Sequence, residues 1–472
     1  MTPEALIGLV MLLVLLGAIF IGVPISFTLL FLALSFGWLG LGDTVFNLAY
    51  FQTIGMMKEE VLAAVPLFIL MGFVTQEAGL MERLFIAFRY LMAPVRGSLY
   101  VVVVLTAAVF AMATGIVGAA VTVLGIMASP IMIRSGYSAR LSAGAIAAGG
   151  TLGILIPPSV MLIVMGPVLG VSVADLYAAT LVPGFMLASI YLVYLLARSM
   201  IDPGLGPAMP MEERVHSLPA ILGEVVVGVV PLLALITATL GSILAGLATP
   251  TEAAGVGAAG SLVLAAGYRK LTWTAFRKAL IATMMTSSMV LLLAVTSNIF
   301  GAVFARLGTA NWITEGLLAL ELSKTSMLIL VLTLVFVLGW PFEWPAVILV
   351  FLPIFYPVVA ALQIDLVWFG ALVAVVLQTA FLSPPIAMSA YYLKQVVDKW
   401  SLLDIYKGMF QFMFLQLLAV ALLISFPQIA TWLPERLAAA SRAEKIPEQY
   451  QKIIQQQRRQ APSLEMDPLM QQ

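Results

Sequence analysis

Cysteine is absent and histidine occurs once, at His216. Disulfide frameworks and thiolate metal centres are therefore excluded, and a His-ligated zinc or haem has too few donors. Charge is equally scarce. Only 10% of the residues are Asp, Glu, Lys or Arg, against about 25% in a soluble globular domain. The 23 basic and 23 acidic residues balance, so net charge gives no pull toward nucleic acid or an acidic partner. No glycine-rich loop ends in Lys-Ser or Lys-Thr, which removes a P-loop pump, and HExxH, GxSxG and paired membrane aspartates are missing too, which removes the familiar intramembrane hydrolases. What fills the 472 residues is hydrocarbon: 62% are hydrophobic and mean hydropathy is +1.09. The composition is that of a polytopic membrane protein.

A helix crossing about 30 Å of hydrocarbon needs about 20 mostly apolar residues. Such runs lie at 5–22, 24–41, 61–79, 177–199, 220–243, 251–268, 279–299 and 409–434. Glu4 precedes the first run, with no basic n-region ahead and no small-residue cleavage pattern after it, so it is expected to be retained as a span rather than removed as a signal peptide. Four stretches behave differently. Residues 98–133 and 327–360 are too long for one span and are broken midway by Gly or Pro; 142–171 and 366–397 are interrupted by Pro157-Pro158 and Pro384-Pro385. Proline removes an amide donor and clashes with the preceding turn. Broken backbone at membrane depth survives only inside protein or beside a water-filled cavity.

Basic residues in short loops give the orientation. With 98–133 as a re-entrant hairpin, Arg83, Arg89, Arg96, Arg134, Arg140, Arg198, Arg214, Arg269, Lys270, Arg277, Lys278, Lys394, Lys399 and Lys407 fall on one face, and only Lys58, Arg306 and Lys324 lie in loops on the other. The N-terminus is then outside and the arginine-rich loops are cytoplasmic. Residues 80–96, which mix apolar positions with three arginines, suit an interfacial amphipathic arm or an ordinary connector. From Glu435 onward the chain is glutamine-rich and mixed in charge, reading as a polar tail that is partly helical or disordered.

The breaks hide a repeat. Span 61–79, hairpin 98–133, a span containing GGTLGILIPPS (149–159) and span 177–199 recur in order as span 279–299, hairpin 327–360, a span containing LQTAFLSPPIAMS (377–389) and span 409–434. The first copy begins outside and the second inside, so their topologies are inverted. Paired interrupted segments in matching positions point to a carrier's binding site at the midplane. There, helix carbonyl ends coordinate a bare cation such as sodium, and helix amide ends hold a carboxylate. The first tip is Thr114, Gly115 and Gly118, facing a break around Thr151, Gly153 and Pro157. The second is Gly339, Trp340, Pro341, Phe342 and Glu343, facing Gln378, Thr379, Ser383 and Pro384. Small residues also serve simple helix packing, which is the better account of an isolated glycine but not of the paired Pro-Pro breaks. Cation candidates are therefore Thr114, Gly115, Gly118, Thr151, Gly153, Pro157, Gly339, Glu343, Gln378, Thr379, Ser383 and Pro384; substrate candidates are Thr114, Gly118, Trp340, Pro158, Ser159 and Pro385. Glu343 stands inside an apolar block, where a carboxylate is costly, and is a cation ligand, a proton site or a hairpin N-cap. Glu252 in TPTE reads as a helix cap, Glu224 receives no role, and His216 lies in a polar loop beside Glu212 and Glu213.

Several motifs carry a family resemblance: VPLFILMG (65–72), PIMIRSGYS (130–138), GGTLGILIPPS (149–159), TPTEAAGVG (249–257) and the second Pro-Pro break. Together they resemble the large permease subunit of tripartite ATP-independent periplasmic (TRAP) transporters, the DctM-like family, over nearly the whole chain. Residues 339–355 and 367–394 are most similar to its mannitol/chloroaromatic branch, which includes members for 2-oxo acids and lactate. The resemblance implies an all-α, inverted-repeat, elevator-type transporter with two re-entrant hairpins and two discontinuous helices. It implies residues 1–60 and 200–278 as scaffold, 61–199 and 279–434 as the two repeats, and 435–472 as tail. It also implies sodium coupling without other cofactors, a small DctQ-like membrane subunit, a periplasmic DctP-like binding protein, membrane lipids as surroundings, an inner-membrane location and import of a small organic acid. Three features depart from the family pattern. ATGIVGAAVT (113–122) replaces a Gly-Ser-rich tip, Ile386-Ala387 stands where Gly is frequent, and Glu343 stands where aspartate or a neutral residue is usual. The rival readings are a stand-alone dicarboxylate or citrate symporter and a channel.

Overall fold

The computed structural model describes residues 2–115, 117–208, 217–384 and 387–445; His216 and Pro385 lie outside them. The described residues form helices and no strand. In chain order these are α1 (Pro3–Phe20), α2 (Ile25–Leu41), α3 (Thr44–Met57), α4 (Ala64–Glu77) with a 3-10 turn before it, α5 (Leu80–Met92), α6 (Ser98–Thr114), α7 (Val117–Arg134), α8 (Ala139–Leu155), α9 (Val160–Leu169) and α10 (Val173–Ile201). There follow α11 (Pro219–Leu244), α12 (Pro250–Gly267), α13 (Trp273–Arg306), α14 (Thr309–Leu318), α15 (Lys324–Leu338), α16 (Trp344–Ala361), α17 (Leu366–Ala380), α18 (Met388–Lys394), α19 (Leu402–Ser425) and α20 (Gln428–Lys445). Eight helical stretches among the described residues are long and apolar enough to cross a membrane, nine if α8 and α9 count as one span bent by 45°.

Local chemistry sets these limits. Thr2 accepts a hydrogen bond from Ala5 N–H ahead of Pro3, Thr272 caps α13 through Ala275 N–H, and Ser401 caps α19 through Asp404 N–H. At the start of α12, Glu252 N–H donates to Thr249 Oγ1 at 3.2 Å while Thr249 N–H donates to Glu252 Oε2 at 2.8 Å, a reciprocal box. Glu252 is thus spent on its own helix. Thr249→Ala is expected to cost about 1 kcal/mol of stability, read by thermal melting. Glu252→Gln, which can still close the box, should leave both melting and transport unchanged.

Two helix pairs turn back at a short link. Along α8, Gly149 meets Val103 and Ala107 of α6, and neighbouring Gly150 meets Val121 of α7. Residues on either side of the link at Gly115 therefore converge on one point of α8, which is the geometry of a hairpin. The second pair, α15 and α16, turns at residues 339–343, and a π-turn at Val347–Phe351 precedes Pro353. Pro353 offers no amide to the Leu349 carbonyl four residues before it, a local cause for such an irregularity. Both interrupted helices are present too: α8 and α9 part at 156–159, and α17 and α18 part after Ala380.

The core is deepest around α8, α9 and α17, where nearly every residue is buried. Glycines allow the closest crossings, with Gly144 of α8 against Phe412 and Gly408 of α19, and Gly184 of α10 against Ile156. Arg140 and Asp404 pair at 2.9 Å across the first crossing, and Lys278 and Glu77 pair at 2.6 Å between α13 and α4. On amphipathic α5, Leu80, Met81, Leu84, Phe85 and Ala87 are buried while Arg83 stacks over the Tyr268 ring at 4.7 Å.

One boundary differs from the sequence reading. The run 409–434 is not one span: α19 ends at Ser425 and α20 begins at Gln428. Phe426, before Pro427, adopts φ −130° and ψ 75°, because a residue preceding proline is pushed out of the helical region. The 434/435 division therefore falls inside α20, which packs along α10 and α17.

Candidate functional site

The first hairpin tip rests on the first break. Thr114 is the last residue of α6, and Gly115 has φ +61°, a conformation glycine adopts without strain. A Cβ on Gly115 would stand 3.6 Å from Val160 N, 3.8 Å from Gly153 O and 3.9 Å from Pro158 O. The turn thus touches both the carbonyl end of α8 and the amide end of α9. Helix ends carry backbone groups with no partner inside the helix, and the turn lies against the Gly153 carbonyl near the end of α8 and the Val160 amide at the start of α9. Pro157 and Pro158 fill the gap, and the Ser159 hydroxyl donates to Ile154 O at 2.6 Å, so this side chain is spent on the break itself.

The second tip rests on the second break. A Cβ on Gly339 would come within 2.9 Å of the Ala380 side chain. A cavity of about 200 Å³ lies here, lined by Gly339, Trp340, Pro341, Glu343, Phe381 and Met388 among others. Glu343 occupies the N-cap position of α16, yet its side chain caps nothing; its carboxylate lines the cavity instead. Trp340 packs edge-on to Phe336, and its buried Nε1 has no partner. At the break, Leu382 and Ser383 N–H both donate to Thr379 O, at 3.0 and 2.9 Å, and the Thr379 hydroxyl donates to Val376 O. Two buried hydroxyls, Ser383 and Ser389, are left without a partner. Buried polar atoms are rarely unpaired without a reason, and oxygens of this kind are what a bare cation takes.

Not every candidate faces a break. Gly118 is the second residue of α7, where its missing Cβ makes room for the Tyr392 ring, 3.0 Å from the position a Cβ would take. Gly115 supplies the turn, and Gly118 supplies a close approach to the other repeat. Pro384 is exposed. Thr151 and Gln378, assigned to different tips, touch each other: Thr151 Oγ1 lies 3.2 Å from Gln378 Oε1. Residues beyond the candidates join them. Gln416 Nε2 lies 3.4 Å from Thr151 Oγ1, and the buried Tyr191 hydroxyl stands near both without a hydrogen bond of ordinary geometry. The sequence signal was an amide within the apolar run of α19; Gln411 of the same helix instead accepts from the Tyr194 hydroxyl at 2.6 Å. Among the described residues no group of three or more Asp, Glu, His or Cys could hold a metal ion, and Glu343 is the carboxylate that lines the cavity at the second tip.

Residues 9–429 match the family described as the DctM component of the tripartite ATP-independent periplasmic transporter. The sialic acid TRAP transporter large permease protein SiaM of Vibrio cholerae is 30% identical over 423 residues, covering 89% of this chain and 96% of that protein. The C4-dicarboxylate TRAP transporter large permease protein DctM of Pseudomonas aeruginosa is 31% identical over 337 residues, 70% of this chain and 76% of that one. Among solved structures, the YdaH transporter of Alcanivorax borkumensis shares the fold at a TM-score of 0.57 and 16% identity, over 81% of this chain and 88% of that one.

Proposed function

The chain belongs to the DctM component family of tripartite ATP-independent periplasmic transporters, and from that premise we propose a sodium-coupled importer of a small organic acid. It is a multi-pass inner-membrane permease and not an enzyme. The proposal adds the coupling ion, the movement and the partners. Sodium binds at each tip-and-break region: Gly115, Gly153 and the end of α8 in the first, and Gln378, Thr379 and Ser383 in the second. The substrate carboxylate lies between them against helix amide ends. The small membrane subunit and the periplasmic binding protein complete the transporter, the latter selecting the substrate.

The single observation that supports this most is that the two broken helices, read from the sequence as belonging to inverted copies, meet through Thr151 and Gln378. An elevator movement needs a seam between a moving and a static part. A cavity of about 520 Å³ supports one, with Gln52 and Glu59 near α3 and Ala294, Ser297 and Asn298 of α13 on one wall, and Val164 of α9 and Leu349 of α16 on the other. The helices before residue 60, those of 200–278 and α13, which packs on α2 and α3, are the static part, and the hairpins with their breaks move.

The test needs no substrate. Melting of the purified protein in sodium is compared with choline at equal ionic strength. A ligand at a hundredfold excess over its Kd stabilises the folded state by about 2.7 kcal/mol, so a clear rise in sodium is expected. No rise overturns sodium coupling and moves attention to protons at Glu343. Uptake by the permease and small subunit without any binding protein would instead favour the stand-alone symporter.

A further inference from the structure

Thr151 and Gln378 each stand six residues before the first proline of their own break. They are equivalent positions of the two repeats, and they touch. In an arrangement related by a two-fold rotation, a residue meets its own equivalent only at the axis. The contact therefore marks the pseudo-two-fold axis, and Tyr191 of α10 and Gln416 of α19, on the helices that follow each break, close around it from either side. All four side chains are completely buried.

The hydrogen bonding of this quartet leaves a choice. Thr151 Oγ1 has one proton and two acceptors within reach, Ala148 O at 2.8 Å and Gln378 Oε1 at 3.2 Å. Gln378 Nε2, Gln416 Oε1 and the Tyr191 hydroxyl have no partner. In one arrangement the Thr151 hydroxyl donates to Gln378. In the other it donates to Ala148 of α8, and the Gln378 amide turns over so that Nε2 donates to Thr151 and Oε1 is released. The two arrangements use the same atoms, and only the second frees a carbonyl oxygen at the second break.

We propose that Thr151, Tyr191, Gln378 and Gln416 form a hub at the axis that couples the two cation regions, with Tyr191 and Gln416 as positioning residues that touch neither ion nor substrate. This rests on the sodium reading above. A cation that takes Gln378 Oε1 fixes the amide with Nε2 on Thr151, which commits the Thr151 hydroxyl to Ala148 O on the helix carrying the first break. Occupancy of one region then favours the other, and by linkage the converse holds. A demonstrated two-state element biased by both sites is what such coupling requires.

Sodium titrations of the melting temperature, made on the complete permease with its small subunit, read the coupling. The wild type is expected to titrate steeply, with a Hill coefficient near two. Tyr191→Phe, which removes one oxygen and no volume, and Gln416→Leu are expected to flatten it to about one while still binding sodium. A second measurement omits sodium: in choline, the melting shifts of Thr151→Val and Gln416→Leu should be non-additive, as for partners in one network. Variants that titrate as steeply as the wild type, or additive shifts in choline, overturn the hub. A wild type indifferent to sodium overturns the sodium reading, and the coupling falls with it. The choline cycle separates the two failures, because it depends on the hydrogen bonds alone.

Discussion

Gly408→Ala is expected to destabilise the protein by more than 3 kcal/mol, leaving little folded material to purify. A Cβ at this position would stand 2.0 Å from Arg140 O and 3.0 Å from Gly144 N. Both obstacles are backbone, so no rotamer change can make room. Overpacking that side chains can absorb costs about 1–3 kcal/mol, and occasionally more; here α8 and α19 must separate as rigid elements. The opposing residue allows no retreat, since Gly144 is itself closed in by Phe412 and by Gly408 O. Separation would also shift α8, which carries the first break and Thr151. Thermal melting and yield in detergent check this, with Gly255→Ala as the comparison. Gly255 has nothing within 4 Å of its Cβ position, and alanine there should be neutral or stabilising by up to about 1 kcal/mol. A Gly408→Ala protein that melts with the wild type would mean that the crossing is looser than its geometry.

The same contrast explains what could be read in the sequence. Hairpins and broken helices were legible because their causes are local. Proline lacks an amide wherever it stands, and Gly115, Pro157 and Gly339 mark turns from the chain alone. Glu252 was legible as a cap for the same reason: its partner is three residues away. The end of the last span was misplaced because hydropathy runs on through Phe426 and Pro427, while the backbone obeys the proline. The neighbour of Gly118 was not legible, because Tyr392 belongs to the other repeat and no spacing reveals it. Gln416 and Tyr191 were missed for a related reason. A single amide or phenol in an apolar helix gives no hint of its partners, and these two matter only because Thr151 and Gln378 meet between them. Local punctuation thus marked the hairpin turns and the breaks, and tertiary pairing decides which side chains meet there.

Gln378→Leu is expected to raise the sodium concentration that half-saturates transport by about 10- to 100-fold, with little loss of stability in choline. The size follows from what is removed. A hydrogen bond or dipole contact to a charged group contributes about 1.5–3 kcal/mol, and each 1.4 kcal/mol is about tenfold in affinity. Stability should hold because the amide is poorly paired in the sodium-free fold. Its Nε2 has no partner, and Thr151, its one contact, keeps Ala148 O and Gln416 Nε2. Replacing a half-satisfied buried amide by an apolar side chain of similar length therefore orphans nothing new. Thr333→Val serves as the comparison, since that hydroxyl is exposed and bonds only within its own helix, to Ile329 O; its sodium dependence should match the wild type. The two readouts separate the possible roles of Gln378. A cation ligand gives a large shift in half-saturation with an unchanged melting temperature in choline. A purely structural amide gives the reverse: lower melting in choline and an unaltered sodium requirement, which would remove the second break from the coupling mechanism.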